Sequence, residues 1–305
     1  MPMSEIMLVG TVSNVEKKLQ HDLVKVLTAL SSFDKVSIFL VESDSTDKTV
    51  ELLQNLASKI PNFSFILLGN LKSTIPDRIN RIRYCRNEYI SHIRNIPIEL
   101  LPRLIAVADL DGMNRALTRK AVDSCFTNND WDVVLSNQKY GYYDILALRH
   151  DKWQPNDCFT ELEKLKLKIP TQNFQKDSLI NRVRLNRAHD KARNEAIYRK
   201  MIRIRKKSSW IEVNSGFGGF AIYKSELFLK HDYSSNDLFD KESEHVTLNS
   251  KIVKEGKKIF INPNLINANF NTYNINRFMV IRELRRLVDK NNLIMSFVKK
   301  YFWKL

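Results

Sequence analysis

Residues 103–112 read Arg103-Leu104-Ile105-Ala106-Val107-Ala108-Asp109-Leu110-Asp111-Gly112. A short run of apolar residues closed by a turn signal is the pattern of a buried strand. Side chains two apart on a strand point the same way, so Asp109 and Asp111 are expected together on one side of the strand's end. Two carboxylates closing an apolar run are costly unless something uses them. Paired at a strand end, they make a hard-oxygen site suited to Mn²⁺ or Mg²⁺. The spacing alone also fits a plain turn in which Asp109 caps the following helix.

Outward from this stretch the chain alternates. Upstream, Ile6–Val12, Val36–Val41 and Phe63–Leu68 are strand-like runs. Between them, Val15–Leu30 and Val50–Ile60 carry apolar residues at helical spacing, and Pro76–Ile93 reads as a basic helix. Downstream come a predicted helix over Arg115–Phe126 and a strand over Asp132–Ser136. Strands alternating with helices give an α/β fold, a Rossmann-like, mostly parallel sheet flanked by helices. Ligands of such sheets sit outside the carboxyl ends of the strands. Three polar clusters fall there: Thr11-Ser13-Asn14, Glu42 to Asp47, and Asp109 to Asp111.

The second half is less regular. Tyr140–Arg149 is expected to be a further strand, and residues 150–208 a basic insertion, helical from about Gln175 onward. Four of the chain's eight glycines, Gly112, Gly216, Gly218 and Gly219, lie at the aspartate turn or within Trp210–Tyr223, a strand-like segment. Where glycine is so scarce, a cluster marks close backbone approach. Glu242–Lys254 reads as a helix and Lys258–Asn262 as a last short strand. The division expected is a catalytic domain over 1–265 and a basic amphipathic extension over 266–305.

The formal net charge is +15, which calls for an anionic partner: nucleic acid, an anionic membrane surface or a phosphorylated substrate. No run approaches the roughly 20 apolar residues of a membrane span. The first residues, MPMSEIMLVG, lack the basic start and long apolar stretch of a secretory signal. Cys85, Cys125 and Cys158, three and far apart, argue against a disulfide framework or zinc knuckle and fit a reducing compartment. The expectation is a cytoplasmic protein, peripheral at the membrane face. In residues 277–305, basic side chains are mixed with bulky apolar and aromatic ones, which suits a helix lying in a membrane interface or one packed on the domain.

Val41-Glu42-Ser43-Asp44-Ser45-Thr46-Asp47-Lys48-Thr49 is physically a strand end, a turn and a capped helix start. It resembles the acidic, serine- and threonine-rich turn after the second strand of GT-A glycosyltransferases. Its Glu-Ser form is most similar to the cryptococcal capsule-associated mannosyltransferase family and its bacterial relatives. Further pieces fall in the order that family has. Arg81-Ile82-Arg83-Tyr84-Cys85-Arg86-Asn87 resembles its arginine–asparagine helix, and Asp109 with Asp111 its metal motif. Tyr142–Arg149 with Trp153 and Asp157 resembles the stretch after its fifth strand, and Ser215–Tyr223 its glycine-rich strand beneath the acceptor.

The resemblance implies a metal-dependent hexosyltransferase with Mn²⁺ or Mg²⁺ at Asp109 and Asp111. It implies a UDP- or GDP-linked sugar donor near Thr11, Glu42, Arg83, Arg86, Asn87 and Asp109, and an acceptor over Gly218 and Gly219, either a cell-surface glycan or a lipid-linked saccharide. Glu244 occupies the place of the acid that often supplies the base, with His245 beside it. The other reading of Glu244 is an exposed acid favoured by a helix dipole. Asp232, Asp237 and Asp240 are weaker alternatives. The chain departs from the pattern in having Ser43 where many GT-A enzymes have a second acid, and in having no histidine after His245 to act as a metal ligand.

Two other classes were weighed. A nucleic-acid-binding or nucleotidyl-transfer protein would suit the charge, but no RRM, KH or helix-turn-helix signature is present. Gly10–Glu16 also lacks a glycine-rich basic loop, so no nucleic-acid partner is expected. A non-catalytic membrane-surface adaptor that has kept the fold would tolerate loss of the carboxylates.

Overall fold

The structure, a computed structural model, describes residues 3–170, 179–235 and 242–270. The expectations for 271–305, and those for Asp237 and Asp240, lie outside the described residues.

Eight strands form one sheet: β1 (Met3–Val12), β2 (Phe33–Glu42), β3 (Phe63–Leu67), β4 (Leu104–Ala108), β5 (Val133–Gln138), β6 (Ile211–Glu212), β7 (Phe220–Lys224) and β8 (Ile259–Ala268), in the order β3-β2-β1-β4-β7-β5-β8-β6. The first four are parallel to one another, and β5 is parallel to β8. β7 runs antiparallel between β4 and β5, and β6 antiparallel at the edge. The sheet is thus mixed α/β and mostly parallel, flanked by helices.

Alternation along β1 shows why there are helices on both faces. Ile6 and Leu8 enter one buried cluster with Leu19, Leu23 and Val26 of α1 (Leu19–Ala29). Met7 and Val9 enter the opposite cluster with Tyr89, Ile90 and Ile93 of α3 (Arg78–Arg94). A strand sends successive side chains to opposite faces, so a continuously apolar strand must be covered twice. Each such buried Leu or Ile contributes about 1.5–3 kcal/mol. α2 (Thr49–Lys59) follows β2, and Leu53 and Leu56 bury its inner stripe. The helix expected over Arg115–Phe126 contracts to α4 (Arg119–Asp123), capped by Thr118, with a 3₁₀ turn over Ser124–Thr127.

Three expectations in the second half change. Tyr140–Arg149 is not a strand. Asp144 turns back to accept the Ala147 N–H at 3.3 Å, and only Arg149 and His150 form isolated bridges. A local carboxylate acceptor outcompetes the ladder there. Trp210–Tyr223 is split by a glycine turn into β6 and β7. The short strand expected over Lys258–Asn262 is the longer β8, Ile259–Ala268. Between β5 and β6 lie α5 (Cys158–Leu167), which the sequence pattern did not single out, and α6 (Leu179–Ala196), joined through Leu162, Ala192 and Ala196. α7 (Glu226–Lys230) follows β7, and α8 (Glu244–Lys254) precedes β8. All three cysteines are buried and free.

Candidate active site

A cleft of about 900 Å³ opens along the carboxyl edge of β1, β2 and β4. Asp109 and Asp111, just past the end of β4, both line it, and Leu110 between them is buried at 1% exposure. Thr11 and Ser13 from the end of β1 and Ser43 and Asp44 from the end of β2 line the same cleft. The three polar clusters of the first half therefore converge. The turn after Asp111 is held from below by Asp22, a buried acid of α1 that accepts the Gly112 N–H. Burial, opposed by that N–H, raises the Asp22 pKa. A lone polar residue on the apolar face of the α1 pattern was the available signal for it.

The turn after β2 is fastened by its own side chains. Glu42, 2% exposed, accepts the Ser45 N–H at 3.0 Å. It is thus turned into the protein, and Ser43 and Asp44 face the cleft in its place. Asn14 Oδ1 accepts the Thr46 N–H at 2.9 Å, and Asp47 accepts the Thr49 N–H at 3.0 Å and the Glu16 N–H at 3.1 Å. Asn14 and Asp44 both have positive φ, 53° and 60°, the left-handed region that Asn and Asp tolerate best among residues with a Cβ.

Arg86 of α3 is the hub of the other wall. Its Nε donates to Glu244 Oε1 at 3.1 Å and a terminal nitrogen donates to Asp109 Oδ1 at 3.4 Å. The guanidinium also lies over the rings of Phe217 and Tyr233, at 5.3 and 5.6 Å. Burial works against its charge, but the surrounding Tyr89, Glu244, Tyr233 and Asp109 outweigh burial and keep it protonated. Glu244 sits in the first turn of α8 with its side chain 12% exposed, so it is no solvated helix-start acid. His245 lines the cleft and stacks on Phe217 at 3.9 Å. Burial and Arg86 push its pKa well below the usual histidine range, so the ring is neutral.

Arg83 and Asn87, expected near a nucleotide, do other work. Arg83 donates to the Glu242 carbonyl at 3.0 Å and to Thr247 at 3.2 Å, tying α3 to the start of α8. Asn87 brackets the 233–234 segment, accepting the Tyr233 N–H and donating to Ser234 Oγ, each at 2.9 Å. Asp232 is engaged by Lys251 at 2.8 Å.

Because β7 is antiparallel to β4, its leading glycines lie beside the carboxyl end of β4. The Gly219 carbonyl accepts the Asp109 N–H at 3.0 Å, fixing the backbone of that aspartate. Gly218 has φ +77°, and a Cβ there would meet Ser136 Oγ at 2.8 Å and Gln138 Nε2 at 2.9 Å. Its N–H donates to Asp144 at 2.9 Å, and its carbonyl accepts from Ser136, Gln138 and Asn267. The glycines thus form a platform under the carboxylates. Asp144 lines the cleft, and burial, opposed by the Gly218 and Ala147 N–H groups, raises its pKa. Ser136, Gln138 and Asn267 escaped the sequence reading. Polar residues closing an apolar strand, Ser136-Asn137-Gln138, were the signal.

Asp109 carries the electrostatic signature of the site. Burial, opposed by Arg86 and reinforced by Asp111, Glu244 and Asp144, pushes its pKa up to about 7. Arg86 pairs with Glu244 and Asp109, while Asp111 and Asp144 add negative charge that Asp109 feels, which favours a cation beside it. Among the described residues no three His, Cys, Asp or Glu side chains form a ready-made cage. Two aspartates facing an open cleft fit Mg²⁺ or Mn²⁺, ions that take one or two carboxylates and complete their shell with water and phosphate oxygens.

Phe159, Leu162 and Lys166 of α5 and Arg193 of α6 form the far wall of the cleft, so the basic insertion borders the site. Among the described residues no helix is long and apolar enough to cross a membrane.

No family model matches this chain, and no curated protein matches it. Among solved structures it is similar to the mannosyltransferase PcManGT from Pyrobaculum calidifontis in complex with GDP-Man and Mn²⁺, with 12% identity over 86% of this chain and 56% of that one, at a TM-score of 0.48. It is also similar to S. aureus TarS 1-349 in complex with UDP-GlcNAc, with 11% identity over 84% of this chain and 55% of that one, at a TM-score of 0.43. The complex of the same protein with UDP gives 12% identity, 84% and 57% coverage and a TM-score of 0.40. This chain spans just over half the length of each.

Proposed function

We propose that this protein is a metal-dependent glycosyltransferase that moves a hexose from a UDP- or GDP-linked donor to a cell-surface glycan or lipid-linked saccharide, working at the cytoplasmic face of a membrane. The observation that carries this is the convergence of Asp109 and Asp111 with the Ser43-Asp44 turn and the Arg86–Glu244 pair in one cleft at the carboxyl edge of the sheet.

In this reading Asp109 and Asp111 hold Mn²⁺ or Mg²⁺. The bound ion neutralises charge on a departing nucleoside diphosphate. Thr11, Ser13, Ser43 and Asp44 offer hydroxyls, a carboxylate and backbone groups to the nucleoside. Arg86 orients Asp109 and Glu244 from behind, and the Gly218-Gly219 platform fixes the Asp109 backbone. Glu244 accepts the proton of the acceptor hydroxyl, a role in which a positioned carboxylate contributes about 10²–10⁴-fold. Asp144 faces the same cleft, with its oxygens on the Gly218 and Ala147 N–H groups, and is the alternative base. Arg83 and Asn87 act by holding α8 and the 233–234 segment. α5 and α6 border the acceptor end.

The test is thermal shift with UDP, GDP and CMP, each with and without Mn²⁺, followed by donor hydrolysis. One nucleotide stabilises the protein only when Mn²⁺ is present, and Asp111→Ala lowers turnover by about 10³-fold or more with the melting temperature kept. Unchanged turnover in Asp111→Ala removes the metal assignment. Glu244→Gln lowers kcat by about 10²–10⁴-fold with donor stabilisation intact; full activity in that variant, and its loss in Asp144→Asn, moves the base to Asp144.

A further inference from the structure

Outside the cleft, a second hollow of about 540 Å³ is lined by Lys17, Lys18, His21, Lys25 and Arg115. The first four come from α1 and the residues leading into it. Arg115 comes from the loop after Asp111, so two separate segments converge. All five side chains are exposed. Among the described residues Lys17, Lys18, Lys25 and Arg115 have no side-chain hydrogen bond or ion pair. His21 lies 3.7 Å from Asp22, the buried acid already committed to the Gly112 N–H, whose charge Arg115 also senses.

Folding does not account for this arrangement. Lys17, Lys18, Lys25 and Arg115 are gathered around one space, where like charges repel. Lys17 and Lys18 also stand at the start of α1, where the helix dipole disfavours cations. Some basic residues elsewhere are matched, as in Lys224 with Asp132 and Lys251 with Asp232, and others, such as Lys59, Lys120 and Lys254, stand exposed at separate places rather than around one hollow. Here four cations face one shared space with a single buried acid behind them.

We propose that this hollow binds a phosphate-bearing anion. A carboxylate offers one charge, whereas a phosphate or diphosphate offers two or more charges and several acceptors. That matches three ammonium groups plus one guanidinium fork. The occupant would sit on the rim of the cleft: a Cβ placed on Gly112, next to Asp111, would lie 3.5 Å from Arg115 and 3.6 Å from Lys18. Two sources share this chemistry, the headgroup of an anionic lipid and a free phosphate compound. The inference does not rest on the catalytic reading, and its test has no activity readout.

The full chain is titrated in EDTA with inorganic pyrophosphate by calorimetry, then co-sedimented with phosphatidylglycerol vesicles and with phosphatidylcholine vesicles. Lys18→Gln/Lys25→Gln/Arg115→Gln is compared with Lys59→Gln/Lys120→Gln/Lys254→Gln, which removes the same charge from other exposed positions. Residues 271–305 are present in every protein, so their contribution cancels. The wild type and the control triple bind, and the hollow triple is weaker by roughly tenfold or more. Loss of pyrophosphate binding identifies a free phosphate compound. Loss confined to phosphatidylglycerol vesicles identifies a lipid headgroup. Equal binding by the two triples overturns the proposal. So does a wild type that binds neither probe.

Discussion

On the β2 side of the cleft the backbone N–H groups of Ser45, Thr46 and Thr49 are each taken by a nearby side chain, Glu42, Asn14 and Asp47. On the α3–α8 side one guanidinium stands among carboxylates, Asp109 is pushed up to about 7, and neither His245 nitrogen has a hydrogen-bond partner in the described structure. The first wall satisfies its polar groups locally and holds its shape without help. The second stores unbalanced charge against a buried aromatic backing. Polar groups are left this way at a cost of several kcal/mol unless a ligand settles them. In the proposed function the first wall presents the donor and the second carries the reaction.

That contrast breaks most readily at Arg86. Arg86→Ala leaves Glu244 and Asp109 partly buried without their cation and is expected to cost about 3–5 kcal/mol, measured by urea unfolding. A loss below about 1 kcal/mol would show that both walls are equally self-sufficient. Asn14→Ala removes the acceptor for Thr46 and places alanine at φ 53°, with an expected cost of about 1–2 kcal/mol in the same assay. A larger cost than for Arg86→Ala inverts the comparison.

The subtlest effect is in pH. The pKa of Asp109 in the folded protein lies above its ordinary value of 3.8, at about 7, so the folded state binds this proton more tightly than the unfolded state. Its contribution to stability is therefore present below the unfolded value and lost as pH rises through about 7. In melting curves from pH 5 to 8, Asp109→Asn is expected to flatten this fall, and Mn²⁺ to flatten it in the wild type. A wild-type profile unaffected by either would place the excess charge elsewhere.

Much of the first wall was legible because its information is local. The apolar run before Asp109, the Glu42–Thr49 turn and the periodic α1 and α2 patterns each specify their element over a few residues. The second wall was legible in composition but not in arrangement. Arg86 and Glu244 were singled out, but their pairing spans 158 positions along the chain. Arg83, Arg86 and Asn87 share one face of α3, yet Arg83 reaches Glu242 and Thr247, Arg86 reaches Glu244 and Asp109, and Asn87 reaches the 233–234 segment, because each meets a different part of the chain packed across that face. Tyr140–Arg149 reads as a strand by side-chain type, and only the Asp144 turn beneath Gly218 makes it otherwise.

The sequence by itself determined the α/β alternation, the common facing of Asp109 and Asp111, and the excess of positive charge, since periodicity, strand alternation and ionisation are properties of short segments. Tertiary structure decided that β7 runs against β4 and brings Gly219 to Asp109, that Arg86 joins two carboxylates, and that Arg115 closes a hollow with the lysines of α1. These depend on which distant segments pack together, and packing answers to the summed burial of the whole core rather than to any stretch of residues.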